Sequence, residues 1–537
     1  MSNFYDKVAV LAGDSWLRLH DGLAAFTITE VAATLTLATL LIIYFSRLVK
    51  KHIIKTKLSP PGPVGLPILG HLLFIKPDFL QYVTKQSQIH GRIIKLHLGR
   101  KVYIIISSPS IAKQILKDHD AIYANRDIPM AAIKGTFGGL DICGDPTAQN
   151  CRSYKLRKLV VREIMSNNGL DACYEFRRRE IRQMVKNIHG KIGSTINLSE
   201  RIFLTMLSVT MSMLWGGSLN GEVAKLGLEI KDRLEEFMKL MGEPNLSDIF
   251  PMLSPFNLQG IESKAKKHVS WFYGFLESVI KQRMKLGEGP KMADSKDFLQ
   301  QLLELNQRGD AKTSLSMMEI KAVLLRRIFV GIPLVEKITM QILATLLHCF
   351  DWELPDGRQP NVKEKLQFVL TKAEPLVVDM VIGGTDTTFA TIEWAMTELL
   401  RHPNKLRKVI EELDAIIGDQ NVVKESNISR LPYLTAVVKE TLRIHPPAPL
   451  LVPHMPNETT VIAGYTIPKN SWIFFNVWAI QRDAEFWEDP LRFEPERFLK
   501  DTEKRNYTGN SFHFFRLDQG GGFLLGFHWW RKLQCRF

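Results

Sequence analysis

Apolar and polar positions along this chain fall into distinct regimes. Residues 24–45 (AAFTITEVAATLTLATLLIIYF) form an almost unbroken apolar run with one charge, Glu30, followed by Arg47, Lys50, Lys51, Lys55 and Lys57. A helix of about 20 apolar residues spans the hydrocarbon layer, and a basic flank stays cytosolic. The pattern therefore predicts one transmembrane anchor at 24–46 with residues 1–23 lumenal. A cleaved signal peptide or a buried core helix would give a similar run; the basic flank and the missing small-residue cleavage site favour the anchor. Residues 47–67 then read as a basic flank and a stiff elbow, because the prolines of SPPGPVGLP fix φ and deny helix.

Beyond the elbow, the runs RIIKLHL (92–98) and VYIIIS (102–107) have strand character, and glycines punctuate them. From about 151 to 286 the period changes to helical, in KLRKLVVREIM, FRRREIRQMVKNIH, ERIFLTMLSVTMSMLWGG and KDRLEEFMKLMG. Met206, Met211 and Met213 fall on that pattern as core positions. The expected fold class is mainly α with a small β portion.

Val381–Thr388 reads VIGGTDTT and leads into the amphipathic FATIEWAMTELLRHP. Glycine inside a helix costs about 1 kcal/mol relative to alanine. Gly383 and Gly384 therefore suggest a loosened turn against which a flat ligand lies, or simply a helix start capped by Thr385 or Asp386. Further on, LTAVVKETLRI (434–444) places Glu440 and Arg443 one turn apart on one helical face. A breaker, HPPAPLLVPH, two strand-like runs and FEPERF (493–498) follow, and Arg497 is positioned to return to Glu440 as a charge-assisted cluster.

Composition narrows the class. The chain has 537 residues, 45% hydrophobic, with a net charge of +14 and no zinc or nucleic-acid signature. The basic excess suits an anionic membrane face or an acidic protein partner rather than nucleic acid. Cys143, Cys151, Cys173, Cys349 and Cys535 are odd in number and lack CxxC spacing, as reduced thiols in a cytosol-facing chain would be.

The anchor with its proline elbow, GGTDTT, KETLR and FEPERF stand in one order. In that combination the chain resembles a plant microsomal cytochrome P450, a haem-thiolate monooxygenase. The resemblance implies the cytochrome P450 fold behind one endoplasmic reticulum anchor, haem as cofactor, and electrons from an NADPH-dependent flavoprotein reductase. It implies hydroxylation of a small apolar substrate, and the WGG and TIEWAMTELLRHP tracts are closest to families acting on terpenoids or phenolics. Asp386 and Thr387 would serve dioxygen activation and proton delivery, and Gly383 and Gly384 would open the helix beside the haem. Arg157, Arg327 and His454 occupy haem-contacting positions, His454 where many members carry arginine. Glu440, Arg443 and Arg497 would lock the proximal core.

The sequence also departs from that pattern. The haem loop expected after FEPERF is absent there. A similar stretch, RRIFVGIP, begins at Arg326, and the text to Val378 resembles the family's C-terminal helix and last strands. Removing 326–378 joins EIKAVLL to DMVIGGTDTT as one helical pattern. The tail explains the rest. Codons exist for Gly520–Phe537 that, read from the third base, spell Arg326–Ile342, and the single codon of Trp529 and Trp530 returns Val without freedom. Segment 326–378 thus reads as displaced and 516–537 as a frameshifted haem loop. Phe329 occupies the position of the haem-ligating cysteine. The expected domain, 68–515, is interrupted and its chemistry impaired; the alternative is a non-catalytic, membrane-anchored remnant.

Overall fold

In the computed structural model the described residues are 28–53, 59–125 except 67, 76 and 77, 167–216 except 193 and 195, 223–285, 297–307, 315–329, 332–352, 360–372 except 367–369, 386–418 and 423–499, with a few isolated positions besides. Helix α1, Ile28–Ile53, comes first. Its described part runs through the basic flank, because the Arg and Lys residues at 47–51 are good helix formers and nothing breaks the run before Ile53. Its described side chains, 32–44, are all exposed, Leu35 at 63% and Leu40 at 62% among them. No helix among the described residues is long and apolar enough to cross a membrane; residues 24–27 of the expected span lie outside that set.

The β portion is built from both ends of the chain. Strands β1 (Ile93–Leu98) and β2 (Lys101–Ile106) form an antiparallel hairpin in the register Ile93↔Ile106. Later in the chain come the hairpins β3–β4 (Glu364–Leu366, Leu370–Lys372) and β5–β6 (Thr460–Ile462, Tyr465–Ile467). Strand β7 (Trp472–Phe475) returns to pair parallel with β2. The proline elbow lies along β1, where the Lys95 amide donates to Pro61 O at 2.8 Å. Gly62 is required there, since a Cβ on it would meet Lys95 O at 2.1 Å.

The longer helices after α1 are α2 (Phe79–His90), α3 (Tyr174–His189), α4 (Leu198–Trp215), α5 (Val223–Gly242), α6 (Ile261–Lys285), α7 (Phe298–Gln307), α8 (Met317–Phe329), α9 (Ile332–Cys349), α10 (Asp386–Arg401), α11 (Pro403–Ile417) and α12 (Pro432–Ile444). Their apolar stripes merge into one core running from Cys173 through Leu343 and Met396 to Phe493. Met206, Met211 and Met213 are buried in it. Each fully buried Leu, Ile or Phe contributes about 1.5–3 kcal/mol of transfer free energy, so this cluster, not the sheet, dominates cohesion.

The RRIFVGIP stretch is not a loop. Arg326–Phe329 form the last turn of α8, and α9 resumes at Ile332. Two flanking sequences of high helix propensity leave only residues 330–331 between helices.

Candidate functional site

Helix α12 begins at Pro432, whose missing N–H is harmless in a first turn. Glu412 of α11 caps it from outside, accepting from the Tyr433 and Leu434 amides at 2.7 and 2.9 Å. One helical turn from each other, Glu440 and Arg443 are both fully buried. The Glu440 carboxylate accepts from Arg443 Nε and Nη2, each at 2.7 Å, from Arg497 Nε at 3.0 Å and from the Glu494 amide at 2.9 Å. Arg443 Nη1 donates to Gln481 O and Pro490 O, and its guanidinium lies 5.1 Å from the Trp487 ring centre. Arg497 Nη1 donates to Glu488 O at 2.9 Å. One carboxylate thus holds two guanidinium groups, and backbone carbonyls absorb the surplus positive charge. Such a group positions backbone: it ties 481–497 to α12.

A second buried knot lies beside it, unforeseen from the sequence. His445, one residue past α12, has Nδ1 at 3.0 Å from Glu364 Oε1 and Nε2 at 2.8 Å from Glu398 Oε1. Its ring stacks on Trp394 at 3.8 Å. Glu364 also accepts from Arg482 Nη2 at 2.7 Å and Trp478 Nε1 at 2.8 Å. Burial pushes both carboxyls up, but the His445 hydrogen bonds and nearby positive charge outweigh it and leave both below the usual carboxylate value. Burial lowers Arg482 to about 10, against the opposing pull of Glu364. Four distant segments meet here. No local motif could have signalled it; a histidine ending KETLRIH is the only sequence trace.

His454 is buried as well. Its Nδ1 is 2.9 Å from Tyr123 O, its backbone pairs with Ile473, and its ring meets Phe475 edge-on. It therefore helps seat the 454–473 bridge. The remaining expected site residues are not brought together among the described residues. Asp386 and Thr387 belong to the first turn of α10, and Arg327 and Phe329 to the last turn of α8, with side chains outside the described set. Arg157, Gly383 and Gly384 lie outside it altogether.

Comparison with known proteins decides the family. The sequence model of cytochrome P450 matches residues 60–332 and 373–515. The chain is a member of the cytochrome P450 family. Among its curated relatives, a carnosic acid synthase of Rosmarinus officinalis is 33% identical over 89% of this chain and 84% of its own. A geraniol 8-hydroxylase of Catharanthus roseus is 31% identical over 83% of this chain and 79% of its own. A solved zebrafish cytochrome P450 with progesterone superposes with a TM-score of 0.57 at 20% identity, covering 78% of this chain and 84% of that one; it shares the fold. The match makes this P450 an oxidoreductase by family, and the family's cofactor is haem.

The thiolate donor that such a haem requires does not fit the described residues. Cys173 is fully buried in the apolar core. Cys349 closes α9, and burial pushes its thiol up, favouring the protonated form that ligates iron poorly. Phe329, which the sequence pattern set at the ligand position, is a phenylalanine and has no donor atom. Cys143, Cys151 and Cys535 lie outside the described residues.

Proposed function

We propose that this P450 derives from a plant monooxygenase that hydroxylates a small apolar terpenoid-like metabolite, and that the chain as written lacks the thiolate the reaction needs. The family membership and the terpenoid relatives support the substrate class; Phe329 carries the loss. A thiolate ligand supplies the electronic push that favours O–O cleavage, and phenylalanine supplies none. Segment 326–378 is taken as displaced from its place behind FEPERF; the family match passes over its middle, 333–372, and covers its two ends.

The same reading anchors the chain in the endoplasmic reticulum through residues 24–46, with the body in the cytosol. The exposed Leu35, Leu37, Leu40, Leu41, Ile42 and Ile43 of α1 support it, since such a surface is stable against lipid rather than water. The basic net charge suits docking of an acidic, NADPH-dependent flavoprotein reductase. Asp386 and Thr387 keep their roles in proton delivery only where a thiolate-bound haem is present. A second reading, a non-catalytic membrane-anchored remnant, rests on the same Phe329.

The test is the reduced carbon monoxide difference spectrum of microsomes carrying the unmodified chain. We expect no thiolate-type Soret band. A strong one refutes the loss of the ligand.

A further inference from the structure

Helix α9, but for its first residue, belongs to the stretch that the family match passes over, 333–372, yet its described side chains sit in the main core. Ile342, Leu343, Ala344 and Leu346 are fully buried, and Gln341 and Thr345 are 1% exposed. Stretches that a family match passes over ordinarily run over the surface as loops; this one does not. Its neighbours are α3, α10, α11, α12 and the short helix Glu425–Ile428, whereas α8, joined to it through two residues, packs on α4 and α6. The chain therefore leaves one part of the core at Phe329 and enters another at Ile332.

The segment carries its own docking features. Near its start, Lys337 Nζ lies 3.4 Å from Asp171 and 3.8 Å from Glu425, and Gln341 Nε2 donates to Val423 O at 3.3 Å. Near its end, Glu364 takes His445, Arg482 and Trp478, and the Leu370 amide donates to Pro447 O at 2.9 Å. Between them lies the apolar face of α9. None of these contacts involves the links at 330–331 or 373–385.

We propose that the cradle formed by α3, α10, α11 and α12 recognises segment 332–372 as a docked module, gripped at its ends through Lys337 and Glu364, wherever in the chain the module is attached. A covalent link sets only the effective concentration of such a module, and loop-closure entropy changes slowly with loop length. The specificity resides in the contacts, which are the same for either connection. The proposal concerns docking alone and holds whether or not haem binds.

The experiment is hydrogen exchange followed by mass spectrometry on two full-length chains, the parent and one with 326–378 moved behind residue 515. We expect peptides from 338–349 and 364–372 to keep their protection to within about threefold, the factor that a doubled loop length produces. Lost protection in those windows while α12 stays protected overturns the proposal, and so does a transposed chain unfolded throughout. A second arm keeps the original connectivity and carries Glu364→Ala. There, exchange over 364–372 rises by at least about tenfold, as losing a charged hydrogen-bond partner predicts, with α12 unchanged. Unchanged exchange at 364–372, or equal acceleration in α12, overturns the grip assigned to Glu364. Because the readout is amide exchange, its outcome is separate from that of the carbon monoxide spectrum.

Discussion

Arg497 and Arg443 donate to the same carboxylate oxygen of Glu440, at 3.0 and 2.7 Å, although Arg497 comes from a turn 57 positions along the chain. The sharing makes Glu440 the hub and each arginine a spoke. Removing the hub leaves two guanidinium groups facing each other without a counter-charge.

Glu440→Ala should therefore destabilise the fold by about 3–5 kcal/mol, the cost of breaking a buried ion pair from one side. Arg497→Ala should be milder, because Arg443 still neutralises the carboxylate. Urea unfolding monitored by far-UV circular dichroism ranks them; equal effects would show that Arg497 is a full partner in the hub.

Arg443→Lys should be nearly as damaging as Arg443→Ala. A lysine ammonium cannot reproduce the paired Nε and Nη2 contacts while also reaching Gln481 O and Pro490 O. A lysine variant with parent-like thermal stability would refute the bidentate reading.

Acid should weaken the protein in two steps. Burial, with Lys95 and His71 nearby, lowers His97 from its ordinary 6.5 to about 4. The unfolded chain thus takes up this proton at a higher pH than the folded one, and stability falls as pH drops from about 6.5 to 4. Glu364 and Glu398 are held below their ordinary 4.5, so their contribution is present above that value and is lost on further acidification. Melting temperatures from pH 7.5 to 2.5 should decline, and His97→Gln should flatten the upper part alone. A flat parent profile would contradict both assignments.

Phe329→Cys alone should not produce a thiolate Soret band, because α8 would still carry the cysteine far in sequence from FEPERF. Moving 326–378 behind a restored PLGSG and making the same change should produce it. The reduced carbon monoxide spectrum of the two chains separates ligand identity from segment order.

The sequons at Asn197, Asn245, Asn427, Asn457 and Asn506 should remain bare in plant microsomes, as cytosolic residues do. Glycan on any of them would invert the proposed topology.

The sequence by itself determined the family, the helical majority and the Glu440–Arg443 pair, because these rest on local periodicity and on spacings within one turn of helix. The proposed loss of the ligand at Phe329 and the proposed displacement of 326–378 rest on the order of motifs along the chain rather than on packing. The three-dimensional arrangement alone decided that residues 326–329 continue α8 instead of looping. It alone placed α9 inside the core and joined Glu364, Glu398, Arg482 and His445 in one buried knot. Those residues come from four segments with no common period, and burial plus complementary charge, acting only after the helices have packed, brings them within hydrogen-bond reach.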